Sequence, residues 1–283
     1  MWDLRKKGGS GKIELQVSRT SHARLTLADR QDRVEMFRMN LSDQQRWWLL
    51  ALWLLWAMLL FGGFVFGRGD GVEPRRMPVW TRMASSLALV LAAWSFFIFV
   101  RESAIAFYAL FIAVGMSLGF LGDLFMAELA PAPNRVMAGI AAFGLGHVFY
   151  ITALVWFGNR FGLNDPVARR AAWAAWLFIG AIGWWFVVFR GQKVGALHWA
   201  ALPYALLLAS TAGFAAGLAL QAPTFIPLAL GAALFLLSDL ILAGQLFSGL
   251  SFPLIGDVVW LTYGPGQMLI VYSVLTALKI ANR

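Results

Sequence analysis

The chain has 283 residues, of which 60% are hydrophobic and 13% charged. Soluble domains carry ~25% charged residues, so this composition excludes a water-soluble core and calls for lipid over most of the surface. The net charge is +9, but ten of the 23 Lys and Arg fall in the first 46 residues and the others sit mostly in short polar breaks, a pattern of membrane topology and not of nucleic-acid binding. With no cysteine, disulfides, thiolate metal sites and cysteine nucleophiles are excluded as well.

Residues 1–46 form a polar, basic tail with a Gly-Gly-Ser-Gly run at 8–11, and low hydrophobicity reads it as disordered. Met36 and Met39 stand just ahead of the first apolar run, and a natural start at either is an open alternative. From Trp47 onward, apolar runs alternate with short breaks. Spans are predicted near 47–67, 78–100, 103–127, 135–157, 169–189, 197–219, 224–246 and 257–280. Each has the roughly twenty residues a helix needs to cross the hydrocarbon. The fold class is therefore an all-α integral membrane protein, eight helices in one bundle around an intramembrane polar cavity, with 47–283 as the membrane domain. The second and third spans are joined by almost nothing and should form an antiparallel hairpin. Eight spans put both termini on one side. That side carries 16 Lys and Arg against 7 on the other, so the positive-inside rule places both termini in the cytoplasm; the tail supplies the bias, since without it the count is 6 against 7.

An ionisable group in hydrocarbon costs about 2.5–3.5 kcal/mol on insertion scales, which makes each one a candidate for function. Of the 14 Asp and Glu, Asp123 and Asp239 lie clearly within spans, while Glu128 and Asp257 lie at span ends. His147 is the one deep histidine. Asp123 closes the third span and Asp239 lies in the last third of the seventh; both spans run the same way, so both acids approach one face. Tyr263 and Gln267, four residues apart, share a side of the eighth span, which starts from that face. His147 lies on a stripe of the fourth span with Phe143, Gly144 and Tyr150. The third, fourth, seventh and eighth spans are thus expected to enclose one cavity. Taken singly, each group has a plainer reading as interhelical glue; the shared depth favours function. Gly115, Gly119 and Gly122 should let a neighbour approach the face ending in Asp123, whereas Gly213 and Gly217 read as packing alone. Pro265, between Gly264 and Gly266, cannot donate to the carbonyl of Leu261, so the eighth helix should open locally. No metal is expected, because one deep histidine and no cysteine fall short of a ligand set.

Four motifs carry a family resemblance. Residues 117–126 (SLGFLGDLFM), 143–150 (FGLGHVFY), 231–243 (GAALFLLSDLILA) and 262–270 (TYGPGQMLI) resemble, in order, those of YhhN-type lysoplasmalogenases, and the likeness covers roughly 47–283. Two departures are Met77-Pro78 where the family usually has Lys-Pro, and Pro265 where it usually has no proline. The resemblance implies hydrolysis of the vinyl ether bond of lysoplasmalogens, giving a fatty aldehyde and a glycerophospho-ethanolamine or -choline, with no cofactor. An enol ether is hydrolysed by protonation at carbon, which calls for one protonated and one ionised carboxyl, as on glycosidic bonds. Asp123 and Asp239 are the expected catalytic pair, with either one as the acid. His147, Tyr150, Tyr263 and Gln267 would position water or substrate and Ser238 would support Asp239. Arg76, Arg82 and Arg135, on the same face as the acids, are expected donors to the substrate phosphate. The expected partners are a lysophospholipid within the bilayer and membrane lipids, not nucleic acid. The expected location is a bacterial inner or plasma membrane. The alternative is a proton-coupled transporter using the same acids; a non-catalytic lipid-binding or scaffold protein would not need them.

Overall fold

The computed structural model describes residues 41–68, 76–190 and 195–283. The readings of the tail up to residue 40, including a start at Met36 or Met39, lie outside the described residues. Among the described residues, eight helices are long and apolar enough to cross a membrane: α1 (Asp43–Phe66), α2 (Val79–Val100), α3 (Ala106–Met126), α4 (Arg135–Arg160), α5 (Pro166–Trp184), α6 (Ala196–Gln221), α7 (Ile226–Phe247) and α8 (Ile255–Ala281). The chain is an integral, multi-pass membrane protein, and no strand occurs among the described residues.

The boundaries follow local chemistry. Ser42 caps α1, its Oγ accepting from the Gln45 N–H while Gln45 Oε1 accepts from Ser42, so two orphan donors are satisfied reciprocally. Asn134 and Asp165 cap α4 and α5 through the N–H groups of Met137 and Ala168. Pro166 opens α5, where its missing N–H costs nothing. The hairpin between α2 and α3 is as tight as expected, with the Ser103 N–H on the Val100 carbonyl and the Ala106 N–H on that of Ser103.

In lipid, helices associate through close packing, and small residues let backbones approach. The tightest pairs, α3–α4, α5–α6 and α7–α8, are sequential hairpins. Each has glycine at the crossing. A Cβ on Gly115 would meet the Tyr150 ring at 2.4 Å, one on Gly213 the Trp173 Cα at 2.7 Å, and one on Gly266 the Gly231 carbonyl at 2.8 Å. Contacts between α3, α4, α6, α7 and α8 close a ring; α1 and α2 pack on its α3 and α8 side, and α5 stands outside against α6.

The eighth helix does not open at Pro265: α8 runs unbroken through all 27 residues. Proline removes one hydrogen bond, and neighbouring helices can stabilise such a position in a membrane helix. Here Gly264 lies against Leu60 of α1 and Gly266 against the Gly231 and Phe235 backbone of α7. The glycines serve close packing, not unwinding. Gly266→Ala should therefore destabilise the protein by about 1–3 kcal/mol, the usual cost of overpacking, since its Cβ meets rigid backbone. A lower Tm in detergent checks this, with Gly62→Ala, which has nothing within 4 Å of its Cβ, as the unchanged control.

Candidate functional site

The polar groups foreseen on four helices are drawn in fact from six. Asp123, buried near the end of α3, accepts from Ser86 Oγ of α2 at 2.5 Å and from the Tyr263 hydroxyl of α8 at 3.1 Å, both on Oδ2. The Tyr263 oxygen accepts from Gln267 Nε2 at 3.2 Å, and Gln267 Oε1 accepts from the Tyr150 hydroxyl of α4 at 2.9 Å. A continuous chain of hydrogen bonds thus links α2, α3, α8 and α4. Buried polar groups in lipid need such partners, and a fully paired network holds one geometry. The glycines of α3 make room for it. A Cβ on Gly119 would meet Gln267 Nε2 at 2.8 Å, and one on Gly122 the Phe143 ring at 2.7 Å.

Asp239 forms a second cluster on α7. Its Oδ1 accepts from Ser238 Oγ at 3.2 Å, and its Oδ2 accepts from the Tyr204 hydroxyl of α6. The two carboxyls are close enough to act on each other electrostatically, and Arg82 is close enough to act on Asp123. Between the clusters stands an aromatic wall: the Phe235 ring lies 5.0 Å from that of Tyr263, and Phe143 lies 6.1 Å from Tyr263 and 6.3 Å from Phe235. His147 packs its ring 4.5 Å from Phe235 and 6.3 Å from Tyr204. Its Nδ1 pairs with Thr211 Oγ1 of α6 at 2.9 Å, while its buried Nε2 has no hydrogen-bond partner. A buried polar atom of this kind is uncommon in a folded protein, and His147 itself does not line the cavity described next.

Asp239 and Tyr204 also line a narrow cavity of about 70 Å³. Its other walls are apolar: Met126 of α3; Val136, Ile140 and Phe143 of α4; Trp184 and Val188 at the end of α5; Leu208 of α6; and Leu236, Leu246 and Phe247 of α7. The hollow therefore lies chiefly between α4, α5, α6 and α7. Neither α8 nor Asp123 lines it, which differs from the expected enclosure by α3, α4, α7 and α8. The reason is packing: glycine contacts seal α8 against α7, and Tyr263 and Phe235 fill the ring interior. After Trp184, α5 continues as a π-helical turn, Trp185–Phe189, that supplies part of the wall and whose Val187 carbonyl accepts from Ser248. Such turns often occur at functional sites.

The three arginines are otherwise placed. Arg76 directs its guanidinium to the Val65 carbonyl and the Phe64 ring, Arg82 is buried over the Trp260 ring, and Arg135 pairs with Glu128. None of them lines the cavity. Asp257, set aside as a span-end acid, is fully buried and accepts from the backbone N–H groups of Arg76 and Met77 at 2.6 and 2.9 Å. This bond ties the start of α2 to that of α8. Asp257→Ala should cost about 1–3 kcal/mol for each donor left unpaired. The fall appears in the thermal midpoint, with turnover per folded molecule kept.

Ser86, Tyr204 and Thr211 were not singled out from sequence. A signal existed for two of them. Tyr204 is one of only five tyrosines, three of which join these clusters, and Ser86 belongs to a Thr81, Arg82, Ser85, Ser86 stripe that a lipid-facing helix would not carry.

The fold and site define a polytopic membrane protein with two hydrogen-bonded carboxyls inside its bundle, one of them on the wall of a mostly apolar cavity. The chain belongs to the YhhN family, which matches residues 77–274. The match contains Asp123, Asp239 and every side chain bonded to them. No curated protein and no solved structure matches the chain.

Proposed function

We propose that the protein hydrolyses the vinyl ether bond of lysoplasmalogens. The observation that carries this reading is a carboxyl, Asp239, held by Tyr204 and Ser238 on the wall of an otherwise apolar cavity and within electrostatic reach of a second carboxyl, Asp123. In this reading Asp239 carries the proton and Asp123 the charge, because neighbouring carboxylates resist ionising together.

The chemistry runs on that proton. The hydrocarbon chain of the substrate lies among Phe143, Leu236, Leu246 and Val188, with the enol ether at Asp239. The Asp239 carboxylic acid gives its proton to the ether's outer vinyl carbon, and the adjacent carbon becomes an oxocarbenium ion. The resulting carboxylate faces that cation. A water adds to the cationic carbon and returns a proton to Asp239, leaving a hemiacetal and the starting acid, the acid-then-base sequence known for glycosidic bonds. The hemiacetal then collapses to the fatty aldehyde and the glycerol hydroxyl. Asp123, with Tyr263, Gln267 and Tyr150 behind it, supplies the second charge of the pair. His147 Nε2, the unpaired atom beside Tyr204 and Phe235, holds the water. Arg135 adjoins Val136 on the cavity wall and is the best placed of the three arginines to meet the phosphate; to do so it exchanges Glu128 for the headgroup.

Purified protein given a vinyl-ether lysolipid should release aldehyde and give none from the saturated alkyl-ether analogue, which has no carbon to protonate. Absence of aldehyde from the vinyl ether, or release from both, defeats the reading. Uptake into vesicles without turnover would be the transporter's signature. Against the transporter, α8 is unbroken, so the one span expected to open does not supply the discontinuous helix that transporters use.

A further inference from the structure

At the opposite end of the bundle lies a second hollow that the ether chemistry does not use. The end of α4, the start of α5 and the end of α6 form it, whereas the Asp239 cavity lies at the other ends of the same three helices. Asn159 is sixteen residues beyond Phe143 on α4, roughly 24 Å along the helix. The hollow has a volume of about 390 Å³ and is lined by Asn159, Asn164, Pro166, Arg169, Arg170, Trp173 and Phe214. Its chemistry is the reverse of the first cavity's: two guanidinium groups and two amides over an aromatic floor.

The floor and one arginine are fixed in advance. Trp173 and Phe214 stack with centroids 6.0 Å apart, and Trp173 Nε1 donates to Ser210. Arg169 donates to Asn159 Oδ1 at 2.8 Å and lies over the Phe214 ring at 5.3 Å. Gly217 allows this, since its missing Cβ would meet the Arg169 Cα at 3.3 Å. Arg170 has no hydrogen bond or ion pair among the described residues, and the Asn159 and Asn164 amide N–H groups are likewise uncommitted. The one acid beside the hollow, Asp165, turns its carboxylate onto the Ala168 N–H at 2.7 Å. Net positive charge and several free donors therefore converge on one concave space. Beyond it, α5 buries only Ala172, Gly180 and Trp184 and leaves Phe178, Ile179 and Ile182 exposed to the bilayer.

We propose that this hollow binds the phosphodiester of an anionic phospholipid, with Arg169 and Arg170 as the charged donors, Asn159 and Asn164 as neutral ones, and the acyl chains along the uncovered face of α5. Guanidinium forks match phosphate oxygens, and a preorganised one loses little freedom on binding. A free phosphate would satisfy the arginines but leave the aromatic floor and the apolar flank unused. The lipid would brace α5, the helix outside the ring whose far end walls the Asp239 cavity. The proposal does not rest on ether hydrolysis, because binding is read without turnover.

The test uses the full chain in a neutral detergent, titrated separately with phosphatidylglycerol, phosphatidylcholine and inorganic phosphate, with bound lipid counted by native mass spectrometry and Tm followed in parallel. Phosphatidylglycerol should bind in preference to phosphatidylcholine and raise the Tm, and phosphate should do neither. Arg170→Gln should weaken phosphatidylglycerol binding about tenfold or more, the scale of a lost charge-assisted hydrogen bond, and leave phosphatidylcholine unchanged. The exposed Arg170 is chosen because Arg169→Gln also removes packing against Phe214 and can unfold the region. Equal binding of the two lipids, or a full phosphatidylglycerol preference in the Arg170 variant, overturns the site. A Tm rise with phosphate equal to that with phosphatidylglycerol shows that the lipid assignment is wrong.

Discussion

Asp239→Asn is expected to lower aldehyde release by ~100- to 10,000-fold, the usual worth of general acid or base action. The amide cannot deliver a proton to carbon and carries no charge to face the oxocarbenium ion. Its fold should survive, because the amide carbonyl that replaces the carboxylate can still accept from Tyr204 and the site borders an open cavity. Tyr204→Phe separates positioning from chemistry. It leaves the acid in place but unclamped, so turnover should fall less than in the Asn variant, while loss of the Ser238 hydroxyl, which donates at 2.6 Å to the Phe235 carbonyl and reaches Asp239 only at 3.2 Å, should matter least. Turnover and Tm measured together decide the case. A folded Asp239→Asn variant working within a few-fold of the parent would make this carboxyl structural and remove the proposed mechanism.

Much of the architecture could be read from hydropathy because lipid imposes a single requirement on every span: about twenty apolar residues with all backbone groups paired internally. The acids were legible for the same reason, since a carboxyl inside a span is costly enough to stand out. Tyr263 and Gln267 followed from helical spacing, and the structure joins them directly. His147 and Tyr150 share a stripe, yet one bonds α6 and the other α8. Periodicity gives a residue's face but not which of two neighbours meets it. Tyr204 and Ser86 escaped notice because tyrosine and serine are ordinary residues in membrane helices, and only their partners give them meaning. Pro265 misled in the other direction. Its missing N–H is local information, whereas the continuity of α8 depends on Leu60, Gly231 and Phe235 from other helices. The same limit applies to Asp257, which its sequence position marks only as a span-end acid but which is fully buried on the backbone N–H groups that precede α2.

Asp123→Asn should also reduce turnover by at least ~100-fold, for a different physical reason. Asp123 does not touch the cavity, so it acts through the pair and not on the substrate directly. Asparagine can keep the bonds from Ser86 and Tyr263, since both reach a single oxygen, Oδ2. Folding should therefore be preserved while the charge beside Asp239 is lost. The decisive measurement is the double variant Asp123→Asn with Asp239→Asn. Residues that act as one unit are strongly non-additive, so the double should be hardly slower than Asp239→Asn alone. Rate against pH offers a second reading: the parent should give a bell whose limbs belong to the coupled pair, and Asp123→Asn should lose one limb. Independent, multiplicative losses would mean that Asp123 supports the bundle and not the reaction. So would an unchanged bell in the Asp123 variant, and the proton would then have to be managed by Asp239 and Tyr204 without a second carboxyl.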